Sequence, residues 1–390
     1  MLDDVTIEFI AQHREEDVRT LALQAGRYPT VDMREAVTQI EGWQHAREKL
    51  PEWAAVEGII YPPKISMEQC SSEKTAKYKA GVIEGKMFAD LTGGFGIDFS
   101  YMARVFGEAF YIERNERLCD IATANFSRLG LDHVKVLNGN SEELFESLPR
   151  LDWIFVDPAR RDSDGRKVVA LSDCEPNVVE LDLLSKAGMA MIKCSPMLDI
   201  TMACRQLGSV SSVHIISVNN ECKELLLILS SNEFSEITTN CVNILKDGGM
   251  QTFSFTQEEE DLASISYCNE VGKYLYEPNA SIQKAGCPKS LGVHYHVDKL
   301  HPNSHLYTSI EHVHDFPGRT FEIVEVLGFS KADIKRVQSL GKANITVRNF
   351  PENVQLLRKR LKLADGGENY IFATTLNDGS KALIVCKKVE

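Results

Sequence analysis

From about residue 86 the chain alternates short apolar runs with helical segments, and this rhythm constrains the fold more than any other feature. The runs are "KMFAD", "EAFYIE", "VKVL", "DWIFVD", "MAMIKC", "VHIISV" and "KELLLILS". Strands buried on both faces read as nearly continuous apolar stretches, and strands separated by helices line up in parallel with helices on either side. The expectation is an α/β fold built on a doubly wound sheet. Only a few residues separate the last two runs, too few for a crossover helix, so they are expected to pair as an antiparallel hairpin at the sheet edge.

Two further regions flank this sheet. Residues 5 to about 50 have helical periodicity, as in "VTIEFIAQHREEDVRTLALQ", and prolines 51, 62 and 63 punctuate the stretch beyond them. Beyond about 247 the alternation stops, and residues 270 to 316 are rich in Pro, Asn and His. A compact α/β module follows from 317: "FEIVEVLG", "KADIKRVQSL", "NITVRNF", "PENVQLLRKRL", "NYIFATT" and "KALIVCKK". The expected division is a helical N-terminal region at 1–82, a catalytic domain at 83–247, a small α+β linker domain at 248–316 and the last module at 317–390.

The formal charge of −13 argues against a protein that coats nucleic acid or an anionic membrane over its whole surface. The charge is unevenly spread. Residues 315–390 hold 13 Lys and Arg against 9 Asp and Glu, a net of +4, which leaves −17 on the rest. The last module is thus the part suited to touching nucleic acid. Ten scattered cysteines without a CxxC, and an N-terminus without a signal-peptide pattern, point to a cytoplasmic protein with free thiols. No apolar run reaches the ~18–20 residues of a membrane span. Six of the ten histidines lie between 294 and 314, but no Cys or carboxylate stands at a convincing ligand spacing, so no metal is expected.

"FADLTGGFGIDFSYMARVFG" sets Asp90 at the end of the first strand, before a tight Gly93-Gly94-Phe95-Gly96 turn and a helix. Glycines there let the backbone turn sharply and let a ligand approach it. A dinucleotide fingerprint starting at Gly94 requires a third glycine at 99, where Phe99 stands. Asp90 beside the turn also favours a cationic ligand over a pyrophosphate. S-adenosylmethionine, with its sulfonium and amino group, fits these features. Glu113 ends the second strand, 17 residues after Gly96, where a carboxylate can accept from ribose hydroxyls. Asn140 and Ser141 stand at the third tip, beside the expected adenine, and are equally suited to capping the next helix.

The phrases "DLTGGFGIDF", "YIERN", "ATANFSRLGL", "NGNSEE" and "FVDPARR" resemble a class I methyltransferase over about residues 83–230. The resemblance implies a Rossmann-like sheet and S-adenosylmethionine as cofactor. Its contacts would be Asp90, Thr92, Gly93, Gly94 and Gly96 for the methionine part, Glu113 for the ribose, Asn140 for the adenine edge, and Asp157 beside them.

The fourth strand ends in "DPARR", placing Asp157, Arg160 and Arg161 at the ligand-binding edge of the sheet. Base-amine methyltransferases carry Asp/Asn-Pro-Pro-aromatic at this place. Here Arg160 replaces the aromatic and could stack through its guanidinium or bind phosphate. "MIKCSP" ends the fifth strand, on the same rim. Its Cys194-Ser195-Pro196 is similar to the Cys-Asn-Pro of 5-methyluridine RNA methyltransferases, which also have a "DPPR" where this chain has "DPAR" and a glutamate beginning the last strand where it has Glu224. That likeness implies attack of Cys194 on a pyrimidine ring, with Glu224 or Asp157 handling the proton. Lys193 is a substrate-side candidate and would favour the thiolate if it faced Cys194. Three readings stay open: C5 methylation through Cys194, amine methylation centred on Asp157, and an RNA-binding protein with a relic cofactor pocket.

Over nearly its full length the chain resembles a bacterial methyltransferase family with a C-terminal THUMP-like domain. "QCSSEKTAKYKA", "LYEPNASIQKAG" and "VRNFPENVQLLRKRLKLADGG" carry this likeness. THUMP domains accompany enzymes that modify structured RNA, so the resemblance implies tRNA or rRNA as substrate. The four lysines between 74 and 86 could guide its phosphates or form a solvated helix face.

Overall fold

A computed structural model describes residues 3–159, 171–268 and 270–389. The chain packs into two units, Met1–Ser211 with Leu225–Phe234, and Ser212–Glu224 with Ser235–Glu390.

The first unit begins with α1 (Asp4–His13), α2 (Val18–Leu23), α3 (Met33–Lys49), α4 (Pro51–Ala55), α5 (Lys64–Gln69) and α6 (Glu73–Ala80). Side-chain oxygens of Asp3, Asp17, Asp32 and Ser72 cap α1, α2, α3 and α6 by accepting otherwise unpaired N–H groups of the first turn. The expected alternation follows: β1 (Met87–Asp90), α7 (Ile97–Met102), β2 (Glu108–Glu113), α8 (Glu116–Arg128), β3 (Val134–Asn138), α9 (Ser141–Ser147), β4 (Leu151–Val156), α10 (Leu183–Lys186), β5 (Ala187–Cys194) and α11 (Ile200–Leu207). The sheet runs β3-β2-β1-β4-β5, all parallel. Leu225–Ser230 of β7 (Glu221–Ser230) lies antiparallel on β5, with Leu225 opposite Cys194.

This register brings the carboxyl ends of the strands to one edge: Asp90 opposite Tyr111 and Phe155, Glu113 opposite Asn138, and Val156 opposite Ile192. Helices α1, α2 and the start of α3 bury Phe9, Leu21, Met33, Ala36 and Ile40 in a cluster of their own, whereas the segment from the end of α3 to α6 shares a core with the sheet unit. Trp53, Tyr61, Met67 and Ala76 are buried together with Phe95, Ile97, Tyr101 and Ile121, and Trp53 meets Phe95 edge-to-face at 5.0 Å. The glycine turn is therefore anchored from outside the sheet by its one large apolar residue.

In the second unit, β6 (Val210–Val218) turns through Asn219 and Asn220, with φ of 50° and 67°, into Glu221–Glu224 of β7. Two consecutive left-handed residues make the tight turn that suits a hairpin, and Asn tolerates that conformation. The hairpin is not at an edge, contrary to expectation. β8 (Thr238–Ile244) pairs in parallel with β6, and β9 (Met250–Thr256) pairs antiparallel with β8.

After α12 (Gln257–Leu262) come β10 (Tyr274–Pro278), α13 (Ala280–Ala285), α14 (Pro288–Tyr295), β11 (Asp298–Lys299) and β12 (Tyr307–Ser309). The last module is β13 (Gly318–Leu327), α15 (Lys331–Gln338), β14 (Asn344–Val347), α16 (Val354–Leu361), β15 (Asn369–Thr375) and β16 (Lys381–Lys388), each where the sequence places it. These strands form a mixed sheet in the order β11-β12-β10-β13-β16-β15-β14. Its two faces bury Leu275, Phe321, Phe372 and Ile384 in one cluster, and Val337, Leu357, Ile371 and Leu383 in another. Glu277, only 1% exposed, is ion-paired with both Arg319 and Arg348.

Candidate active site

The turn after β1 is built by steric necessity. An added Cβ at Gly93 would stand 2.3 Å from the Tyr111 ring, and one at Gly96 2.8 Å from Phe126. Gly94 and Gly96 have φ of 59° and 84°, which glycine adopts without strain. The Tyr111 hydroxyl donates to the Gly94 carbonyl at 2.5 Å. The Glu113 carboxylate accepts from Gly94 N–H at 2.8 Å and Asn115 N–H at 2.7 Å. Glu113 thus fixes the glycine turn and the start of α8 while keeping lone pairs for a further donor.

Asp90 is 1% exposed. Its Oδ1 accepts from Thr92 N–H at 2.8 Å and Thr92 Oγ1 at 3.2 Å, and Thr92 Oγ1 in turn accepts from Asp157 N–H at 2.7 Å. These bonds tie the glycine turn to the tip of β4. Burial raises the Asp90 pKa to about 8; the Thr92 bonds oppose this, and the Asp98 and Asp157 charges add to it. A cation bound nearby would draw this group into its ionised form. The narrow glycine turn, this carboxylate and the Glu113 oxygens together fit a ligand with a positive centre and a ribose.

Asn140 caps α9, its Oδ1 accepting from Glu142 N–H at 2.8 Å and Glu143 N–H at 3.3 Å. Of the two readings for this residue, the cap is occupied, and only its amide N–H₂ is left to donate outward. Arg160 and Arg161 lie outside the described residues.

Lys193 and Asp157 are brought together, with Lys193 Nζ 2.6 Å from Asp157 Oδ2. Lys193 also lies 3.3 Å from Asp98 Oδ2. Side chains alternate across a strand, so this commitment leaves Cys194 directed to the opposite face of β5. Cys194 is part-buried at the end of β5, and Glu224 is buried in the second unit at 4% exposure.

Asp98, Lys79 and Ser71 are the members of this region that sequence reasoning missed. Asp98, in the first turn of α7, is 8% exposed; Lys79 is fully buried, its Nζ 3.2 Å from Asp98 Oδ1. Ser71 Oγ donates to Asp98 Oδ2 at 2.7 Å. Burial alone would raise the Asp98 pKa, but the charges of Lys79 and Lys193 outweigh it and hold the carboxyl well below its ordinary range. Lys79 thus has neither of the roles expected for its lysine run. Lys77 is likewise paired, with Glu52 and Glu73.

A ferredoxin-like domain family matches residues 274–317 and a THUMP domain-like family matches 318–388. A crystal structure from Porphyromonas gingivalis W83, of a provisionally assigned methyltransferase, is 35% identical to this chain, with a TM-score of 0.89 and full coverage of both chains. The chain belongs to the class I, S-adenosylmethionine-dependent methyltransferases that carry a THUMP-like domain. An uncharacterised S-adenosylmethionine-dependent methyltransferase of Mycobacterium tuberculosis (strain ATCC 25618 / H37Rv) is 24% identical over 318 residues, covering 81% of this chain and 84% of its own. In this methyltransferase the cluster at the ends of β1, β4 and β5 occupies the edge where open α/β sheets bind their ligands.

Proposed function

We propose that this methyltransferase modifies a base in structured RNA, tRNA or rRNA, and that the acceptor is an exocyclic amine facing Asp157. The observation that carries this reading is the Asp157 carboxylate. Its side chain is 41% exposed, it is tied through its backbone to the glycine turn, and its Oδ2 is held by Lys193. Among the described residues no donor sits on Oδ1, so that oxygen can accept an amine N–H and orient the nitrogen lone pair. When bound, S-adenosylmethionine supplies an electrophilic methyl group. Thr92, Gly93, Gly94 and Gly96 would cradle its methionine part, Glu113 its ribose and the Asn140 amide its adenine edge, while Asp90 acts by its field from beneath the turn. Lys193 serves Asp157 and not the acceptor directly.

An RNA acceptor is supported by the THUMP domain-like match and by the net +4 of residues 315–390. The proposed division keeps catalysis in 83–247, a linker domain in 248–316 and RNA contacts in 317–390. Ten unbridged cysteines support a cytoplasmic enzyme, and no described helix is long and apolar enough to cross a membrane. A second reading keeps Cys194 as a nucleophile toward pyrimidine C5, because it ends β5 beside the tip of β4.

The test is incubation with tritiated S-adenosylmethionine and total bacterial RNA, followed by nucleoside analysis. Wild type and Cys194→Ala should both label a base amine, and Asp157→Asn should lose on the order of 100-fold in rate. A labelled 5-methylpyrimidine that disappears in Cys194→Ala would establish the second reading. RNA left unlabelled by every enzyme would exclude RNA as the acceptor.

A further inference from the structure

The charged groups behind Asp157 form an alternating array: Lys79, Asp98, Lys193 and Asp157, linked at 3.2, 3.3 and 2.6 Å. It begins on α6, outside the sheet, and its only well-exposed member is Asp157. Lys79 is fully buried, whereas Lys193 and Asp98 have side-chain exposures of 12% and 10%. A lysine with no exposure loses its hydration and is retained only where a carboxylate answers it. The distances are unequal in a telling way. Lys193 stands between two carboxylates and lies 0.7 Å nearer to Asp157 than to Asp98. Asp98 is the more buried of the two and would be expected to attract the ammonium more strongly, since an interior charge is less screened. Asp98 is, however, already engaged: Lys79 is ion-paired with Oδ1 and the Ser71 hydroxyl donates to Oδ2.

We propose that Lys79, with Ser71, is a positioning residue for methyl transfer. It satisfies Asp98 so that Lys193 is left to hold Asp157 at the acceptor. The helical segment that precedes the sheet thereby completes the catalytic edge. This rests on Asp157 being the group that faces the acceptor.

The test uses the full-length protein and two measurements. The first is the rate at which Asp157 is labelled by a water-soluble carbodiimide with glycine ethyl ester, read by peptide mass spectrometry, which requires no acceptor. A carboxylate occupied by an ammonium reacts slowly. In Lys79→Met, Asp98 competes for Lys193, and labelling of Asp157 should rise at least about fivefold. The double variant Lys79→Met with Asp98→Asn removes the competing charge and should return labelling to within about twofold of wild type. Ser71→Ala, a milder lesion, should shift labelling in the same direction as Lys79→Met and serves where the latter does not fold.

The second measurement is turnover of labelled S-adenosylmethionine on total bacterial RNA. Lys79→Met should lower kcat about tenfold with KM for the cofactor changed less than threefold, and the double variant should recover most of kcat. Wild-type labelling in folded Lys79→Met, or in Ser71→Ala where Lys79→Met is unfolded, overturns the proposal. So does a double variant no better than the single. If labelling follows the expected pattern but no variant methylates RNA, the choice of RNA fails and the role of Lys79 stands.

Discussion

Asp90 provides the sharpest quantitative prediction, because its burial turns the pH dependence of stability and of cofactor binding into one measurement. Its carboxyl, ordinarily near 3.8, is raised to about 8 by burial, against the Thr92 hydrogen bonds and with the added repulsion of Asp98 and Asp157. Between those two values the folded chain holds a proton that the unfolded chain has lost. Stability contributed by this group therefore falls as pH rises, by at most ~1.4 kcal/mol per pH unit, and levels off above about 8. Asp90→Asn keeps the shape and removes the titration. Raising the pH from 5 to 8 should cost wild type up to about 4 kcal/mol more than the variant, an upper limit because water entry and relaxation reduce it. A cationic cofactor favours the carboxylate, so binding below pH 8 should expel a proton and tighten with rising pH. Urea unfolding at pH 5 to 8, with and without S-adenosylmethionine, checks the first part. Titration calorimetry in two buffers of different ionisation enthalpy counts the proton. Parallel stability profiles for wild type and Asp90→Asn, together with no proton released at pH 6.5, would refute the reasoning.

Gly93→Ala places a methyl group 2.3 Å from the Tyr111 ring, so the turn must move; cofactor affinity should fall more than about 100-fold, with a stability loss of ~1–3 kcal/mol. Fluorescence titration with S-adenosylhomocysteine reports it. Glu277→Gln strips the shared carboxylate from Arg319 and Arg348, and because both arginines are 35% exposed the cost should be ~2–3 kcal/mol, below that of a fully buried pair. Denaturant unfolding monitored in the second unit measures it. Lys359→Ala and Lys362→Ala, at exposed positions at the end of α16, should each weaken RNA binding and lower the salt slope by about one, without touching cofactor affinity.

The sheet was legible because buried parallel strands cannot hide. "WIFV" of parallel β4 is apolar without interruption, and "LLLIL" of β7, antiparallel but equally buried, reads the same way. β8 and β9 were not, because "TTNCVNI" and "MQTFSFT" mix Thr, Asn and Gln into strands and so read like loop sequence. At the site, Asp90, Glu113 and Asp157 were legible from their places at strand ends. Lys79 was not, since a lysine among lysines reads as solvated. The signal that could have found it is helical phase: Thr75, Ala76 and Lys79 fall on one face of α6, and that face is the buried one. Its partner Asp98 is distant in sequence, and no local rule joins them. The orientation of Lys193 away from Cys194 was, in contrast, implicit in the two-residue period of β5.

The same charge pattern bears on how one chain can hold both a cationic cofactor and a polyanion. The edge of the first sheet carries Glu113, Asp98 and Asp157, joined by Asp90 where it ionises, and the ammonium groups of Lys79 and Lys193 are both paired with carboxylates. Such an edge attracts a sulfonium and repels phosphate. An RNA acceptor must therefore draw its electrostatic hold from elsewhere and present only an uncharged base to Asp157. Residues 315–390, the part with net positive charge, meet that requirement, whereas the remainder at −17 discourages non-specific contact along the backbone. On the proposed reading affinity and chemistry rest on different charges, so the proposed roles of Lys359, Lys362 and Lys79 can be tested independently of one another.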